Sequence, residues 1–471
     1  MDSMIRAGKA KRLLRGPAGP ARMMLIAFAA AIAPVAVAPS AMARPAVAAA
    51  AVHGPVESLI AARAPGELRG FYAQRGYRPV WFEDGALSPA ADLLLDQLQS
   101  ARLDGVNPRK LKANGLGRAM RAARSGRPRD IAKAELALSR SYALYVRAMR
   151  AAPRAAMIYE TQALAPVVPT PAAALTTLAA APSRSGFVAD MGWMHPLYAP
   201  MRRAMRDGDL PPEERQRIAR NLERLRAIPA NPGRRYVLVD AAGARLWMYE
   251  DGKAVGSMKV VVGKADNQTP MMAGLLRHAI VNPYWNVPGD LVQQRIATNV
   301  IDKGIGYLRT GNYQVLSDWS DRARALDPSR IDWRAVAAGS AEQPRVRQLP
   351  GGSNFMGKVK FEFPNAKGIY LHDTPDKHLM AEDTRQLSSG CVRLEDAARL
   401  GRWLLEKPLP ARVRKPEQRI ELPEVVPVYI TYLTAVPDAR SVVLRDDVYA
   451  LDAAPPGKRS RQRLARSGQA W

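Results

Sequence analysis

One cysteine, Cys391, stands in Ser388-Ser389-Gly390-Cys391-Val392-Arg393, and it is the only cysteine of the 471-residue chain. A histidine, His372, lies 19 positions upstream in Tyr370-Leu371-His372-Asp373-Thr374-Pro375. A thiol and an imidazole at that separation suit nucleophilic acyl transfer. The imidazole takes the thiol proton, and the thiolate attacks a carbonyl. Such a site also needs donors for the developing oxyanion and room for the substrate. Gly390 removes a side chain beside the nucleophile, so backbone N–H groups around Gly390-Cys391 are candidate oxyanion donors. Ser388 and Ser389 are small and polar and can hold the turn by local hydrogen bonds. Arg393 can order the loop, bind a substrate carboxylate, or serve as an ordinary surface arginine. Asp373 is a candidate to orient the imidazole. Adjacent strand residues point to opposite faces, however, so a backbone carbonyl is an equal candidate.

The other histidines compete poorly with His372. His53 lies in Ala- and Pro-rich sequence, His195 in a helical region, and His378 in a polar loop. His278, in a turn, is the weaker alternative base. One cysteine and scattered histidines give no zinc spacing, so no metal is expected. Neither standard glycine-rich phosphate loop occurs, nor a Gly-x-Ser-x-Gly nucleophile elbow, and no cofactor is called for.

The elements that must position these groups follow from the rest of the chain. Residues 1–43 read as a signal peptide. Six cations from Arg6 to Arg22 precede an apolar run from Met23 to Val37, and Ala41-Met42-Ala43 fits the cleavage rule. The run is short and broken by Pro34, so no stable membrane span is expected. A thiol with no internal partner in an exported chain is more readily explained by chemistry than by structure. The net charge is +27, and +22 remains beyond residue 43. Export favours an anionic cell envelope over nucleic acid as the partner of that charge.

Residues 44–55 read as a linker and 56–232 as a helical domain. Ser88-Pro89, Asp130 and Pro211-Pro212 mark its helix starts, and Leu164 to Pro182 reads as a loop. From Tyr236 the pattern turns to hairpins: Tyr236–Val239, Ala244–Tyr249 and Ser257–Gly263, separated by turn residues. Strand character continues at Ala279–Val281, Trp285–Pro288, Lys358–Phe361 and Gly368–Leu371. Residues 289–350 look like an insertion covering one face of the sheet. Val428–Thr434 and Ser441–Leu444 suggest a terminal hairpin. The arginine-rich tail, 453–471, is expected to be disordered. The fold class is therefore α+β: a mainly β domain over 233–452 with an inserted capping subdomain, after a helical N-terminal domain.

His372, fifteen residues, then Ser388-Ser389-Gly390-Cys391-Val392-Arg393 resembles the signature of the L,D-transpeptidases of peptidoglycan. Three further stretches are similar to the large periplasmic subgroup with a scaffold domain: Phe71 to Trp81, Asn221 to Arg226, and Val281 to Pro288, the last as a central strand. The resemblance implies that Cys391 is the nucleophile and His372 the general base. It implies release of D-Ala from a tetrapeptide stem, a thioester on Cys391, and its capture by the side-chain amine of an acceptor diaminopimelate to give a 3–3 cross-link. The insertion would act as a lid. Many family members carry a second histidine where this chain has Ser389, so His372 would be the sole base. Too few residues separate Tyr198 from Pro211 for the peptidoglycan-binding module that many of the subgroup carry. The alternatives are an L,D-carboxypeptidase, an enzyme attaching an envelope protein to the wall, and a non-catalytic wall-binding protein.

Overall fold

The computed structural model describes residues 54–453, apart from 152, 321, 439 and 440. The segment read as a signal peptide, nearly all of the segment read as a linker, and the tail beyond 453 lie outside the described residues. No helix among the described residues is long and apolar enough to cross a membrane. The architecture is α+β, with helices first and a closed sheet after them.

Proline opens most of the long helices, where its missing N–H costs nothing. Ser88 precedes helix Pro89–Gln99, Pro211 precedes Pro212–Arg226, and Arg127 precedes Pro128–Arg150. Asp130 therefore sits in the first turn of its helix rather than at the cap, paired with Arg127 at 2.8 Å. The segment expected to be a loop after Leu164 contains a helix, Pro171–Ala180. The Thr170 hydroxyl caps it by accepting from Ala173 N–H at 3.1 Å, and Ala174, Leu175 and Leu178 are buried. Alanine and threonine at buried helical spacing looked like linker composition, and tertiary packing decided the outcome. At the centre of the helical part, the buried Glu135 carboxylate accepts from Tyr72 Oη (2.6 Å), Val80 N–H (2.8 Å) and Trp81 N–H (3.0 Å).

Eight strands close into a barrel: β1 (Arg235–Asp240), β2 (Arg245–Glu250), β3 (Lys253–Gly263), β4 (Met272–Val281), β5 (Val359–Glu362), β6 (Tyr370–His372), β7 (Val392–Leu394) and β8 (Gln418–Thr431). Their order is β1-β2-β3-β7-β6-β5-β4-β8, with β8 returning to β1. The hairpin β2–β3 turns on Asp251 and Gly252, both at positive φ, as the Asp-Gly pair there requires. Two pairings are parallel, β8 with β1 and β6 with β7. Parallel neighbours need a long crossover rather than a tight turn. Val428–Thr431 is thus the end of a long central strand and not half of a terminal hairpin. The hairpin forms just beyond it, between Ala435–Pro437 and Val442–Leu444.

The barrel interior is apolar, with Val260, Ala279, Phe361, Leu371 and Val392 among its fully buried side chains. Helix Ala397–Leu405 adds Leu400, Leu404 and Leu405 to the same core. The helical part and the barrel share another core, in which Tyr236, Tyr249, Ala273 and Tyr429 pack among helical residues. Ile158–Tyr159, from the helical part, even adds a parallel strand to the edge of β4.

After Val281 the chain leaves the barrel. Trp285–Asn286 pairs with Arg345–Gln348, which pairs with Tyr313–Leu316, in a separate antiparallel sheet. The stretch expected as a central strand is therefore split: β4 ends at Val281, Asn282 turns at φ +55, and Trp285 starts the inserted unit. That unit has its own core of Trp285, Val292, Ile296, Tyr313, Trp333 and Val346.

Phe361→Ala is expected to remove about 3–5 kcal/mol of stability through lost burial and a cavity in the barrel. Urea denaturation measures this, and a loss under about 1 kcal/mol would mean that the closed sheet does not enclose a packed core.

Candidate active site

The parallel pair β6–β7 builds the site. Leu371 lies opposite Val392, and His372 opposite Arg393. Leu371 and Val392 point into the barrel core. Alternation along the strands then puts Tyr370, His372 and Arg393 on the outer face. Cys391 immediately precedes β7. Its thiol lies 3.5 Å from the Gly368 carbonyl, at the entry to β6. Tyr370 and His372 are two strand residues apart, about 6.6 Å. The histidine and the cysteine thus share one patch. The chain running from His372 to Cys391, 19 positions on, is the crossover that a parallel pair requires.

The loop carrying Cys391 is closed by side chains as well as backbone. The Ser388 hydroxyl donates to the Cys391 carbonyl (2.6 Å) and accepts from Gly390 N–H (3.1 Å). Ser388 is buried and Ser389 exposed. Because the Gly390 N–H is already engaged, the remaining N–H groups of the loop are the ones left to face a developing oxyanion. Gly390 has φ +116, and a Cβ there would sit 3.3 Å from Ile369 Cδ1, so both conformation and space call for glycine. The Thr269 hydroxyl donates to the Gly390 carbonyl (2.6 Å) and accepts from Gly263 N–H (2.8 Å). The Tyr449 hydroxyl donates to the Gly263 carbonyl (2.5 Å). Thr269 and Tyr449 carry no motif that would single them out in the sequence; only the closure of the barrel brings them under the loop.

His372 is buried, and its Nδ1 lies 2.5 Å from the backbone carbonyl of Asp373. A carbonyl can only accept, so Nδ1 carries the proton and Nε2 is left as the acceptor. The carbonyl, not the Asp373 carboxylate, orients the ring. That carboxylate turns to Lys377 Nζ (2.8 Å) and Lys358 N–H (2.9 Å). Arg393 pairs with Asp376 at 3.0 Å. Its guanidinium lies 5.8 Å from the Phe355 ring of the inserted unit, so the insertion reaches the edge of the site.

Burial, reinforced by the Arg393 cation, pushes the His372 imidazole down to about 3. Burial pushes the Cys391 thiol up, against the pull of the Tyr370 N–H and of Arg393. Near neutral pH both groups are therefore uncharged, a thiol and a neutral imidazole on one patch rather than a preformed ion pair. The alternative base, His278, sits on β4 with Nε2 3.6 Å from Glu362 Oε2. His195 is buried, 3.1 Å from the Tyr236 hydroxyl. Among the described residues no group of His, Cys, Asp and Glu is placed to hold a metal ion.

Residues 234–430 match the family described as the L,D-transpeptidase catalytic domain, and residues 66–205 match that described as the scaffold domain. The chain carries an L,D-transpeptidase catalytic domain. A Haemophilus influenzae protein, provisionally named an L,D-transpeptidase, is 32% identical over 244 residues, covering 50% of this chain and 48% of its own. The match thus spans about half the length of that curated relative. An L,D-transpeptidase from Mycobacterium smegmatis aligns structurally at 10% identity with a TM-score of 0.22, covering 42% of this chain and 58% of its own. The Ldtfm–avibactam carbamoyl enzyme aligns at 12% identity with a TM-score of 0.22, covering 43% and 51%.

A neutral thiol makes a specific pH prediction. Alkylation of Cys391 by iodoacetamide is expected to rise through a midpoint above the usual thiol value of about 8.5. Below that midpoint the rate falls as the thiolate is protonated, with no second plateau at low pH. A rate that stays high down to pH 5–6 would mean a thiolate–imidazolium pair instead.

Proposed function

We propose that this protein is a peptidoglycan L,D-transpeptidase that forms 3–3 cross-links through a thioacyl enzyme on Cys391. The observation that carries the reading is the shared outer face of β6 and β7, which brings His372 to the Cys391 loop inside the segment matching the catalytic-domain family. Residues 1–43 would direct export to the periplasm, and 56–232 would serve as the scaffold of the catalytic segment 233–452. The partners are a donor tetrapeptide stem and an acceptor diaminopimelate amine.

The neutral pair leaves Nε2 free to accept a proton in each half-reaction. His372 Nε2 takes the thiol proton as Sγ attacks the diaminopimelate carbonyl that precedes the terminal D-Ala. The imidazolium returns that proton to the departing D-Ala nitrogen, leaving a thioester. In the second half, the acceptor amine gives its proton to Nε2 and attacks the thioester. The thiolate leaves and is reprotonated. Burial makes the imidazolium a strong acid, which speeds the return of each proton. Backbone N–H groups of the Cys391 loop would hold both oxyanions, and one such donor is typically worth about 10²–10³ in rate. The inserted unit, reaching Phe355 over Arg393, would help to exclude water.

Water as acceptor is the second reading, an L,D-carboxypeptidase, because Cys391 is partly exposed in the structure. Attachment of an envelope protein would use the same thioester with a different amine. A wall-binding role without catalysis would need neither the thiol nor the base.

Incubation with a purified disaccharide-tetrapeptide, followed by mass analysis of the products, separates these readings. The 3–3 dimer with free D-Ala is expected, and tripeptide alone would assign the carboxypeptidase. Cys391→Ser is expected to abolish D-Ala release without unfolding the protein, and carbapenems are expected to add covalently to Cys391. Undiminished release from the variant would falsify the assignment of the nucleophile.

A further inference from the structure

We propose that Arg295 and Arg393, which share the Phe355 ring beside the thiol site, form a carboxylate subsite that selects donor peptides with a free terminal carboxylate next to the bond attacked. The two guanidiniums come from different parts of the fold. Arg393 is on β7, two residues after Cys391. Arg295 is on the inserted unit, and the two side chains meet at Phe355. The Arg295 guanidinium lies 4.2 Å from the ring centroid and that of Arg393 lies 5.8 Å from it. The two cations are close enough that Arg295 opposes the charging of Arg393. Like charges gathered on one aromatic ring repel, and an anion between them removes the repulsion.

One carboxylate faces the two cations among the described ion pairs. Arg393 uses one nitrogen on Asp376 at 3.0 Å. Arg295 has no carboxylate within ion-pair distance among the described residues. The backbone under Arg295 is unusual as well. Val292–Ala297 is a π-helical turn, an arrangement rare in proteins and frequent at functional sites. Val292, Ile296 and Ala297 of that turn are buried in the core of the inserted unit, which fixes the direction of Arg295. Arg393 also interacts electrostatically with Cys391, so an anion held here lies near the nucleophile. A donor stem releasing D-Ala carries a carboxylate one residue beyond the attacked carbonyl. The natural ligand thus rests on the transpeptidase reading, whereas the anion subsite itself does not.

Two measurements test this. The first compares alkylation of Cys391 by iodoacetate and by iodoacetamide, since the same single thiol displaces iodide from each reagent and only one reagent is anionic. Arg295→Gln is expected to lower the iodoacetate-to-iodoacetamide rate ratio by about three- to tenfold. Asp376→Asn, which frees Arg393 from its carboxylate, is expected to raise it. A ratio that moves in neither variant overturns the subsite, even if the enzyme forms cross-links as proposed. The second compares the tetrapeptide acid with its C-terminal amide. The wild-type preference for the acid should fall about tenfold in Arg295→Gln, mostly through KM, the change expected for one lost charge-assisted hydrogen bond. An unchanged preference overturns the selection of peptide ends. Absence of turnover with either peptide overturns the transpeptidase reading, while the alkylation ratio still decides the subsite.

Discussion

The parallel pairing of β6 with β7 is the constraint on which the site depends. Its register, Leu371 with Val392 and His372 with Arg393, turns two apolar side chains into the barrel and the reactive ones outward. A shift by one residue would turn His372 into the barrel and Leu371 out of it, because strand faces alternate with period two. The fully buried Leu371 and Val392 therefore specify the register that also places the chemistry. Parallel pairing further demands a crossover, and the chain between the histidine and the cysteine is that crossover. Ser388, Thr269 and Tyr449 then hold its last turn through a chain of hydrogen bonds that ends on the barrel wall.

The electrostatics follow from where this patch lies. Between the barrel and the inserted unit, desolvation outweighs the local charges. It keeps the imidazole basic nitrogen free and the thiol protonated. The Asp373 backbone carbonyl fixes the ring without adding a negative charge, so the imidazolium formed during reaction gains no carboxylate partner from its own neighbour. That arrangement favours rapid return of the proton over storage of it.

The residues proposed to react stand out in the sequence because their types are rare and their spacing is constrained. One cysteine, with a glycine before it, and one histidine closing a strand leave few other assignments. The hairpins from Arg235 to Gly263 were legible through alternation and through turn residues such as Asp251-Gly252. What was not legible depends on contacts between distant segments. Pro171–Ala180 has loop-like composition and is helical because Leu175 and Leu178 are buried. Trp285–Asn286 has strand propensity, but nothing local says which sheet it joins. Val428–Thr431 pairs in parallel with β1, nearly two hundred positions away. Thr269 and Arg295 belong to the site only through closure of the barrel and the placing of the inserted unit.

The most direct test of the account is intact-mass spectrometry of the protein during reaction with the purified disaccharide-tetrapeptide, with peptide mapping of any adduct. The account predicts a transient mass increase equal to the donor minus D-Ala, located on the peptide containing Cys391 and missing from a His372→Gln variant. Release of D-Ala with no such adduct, or an adduct formed equally well without the imidazole, would contradict it.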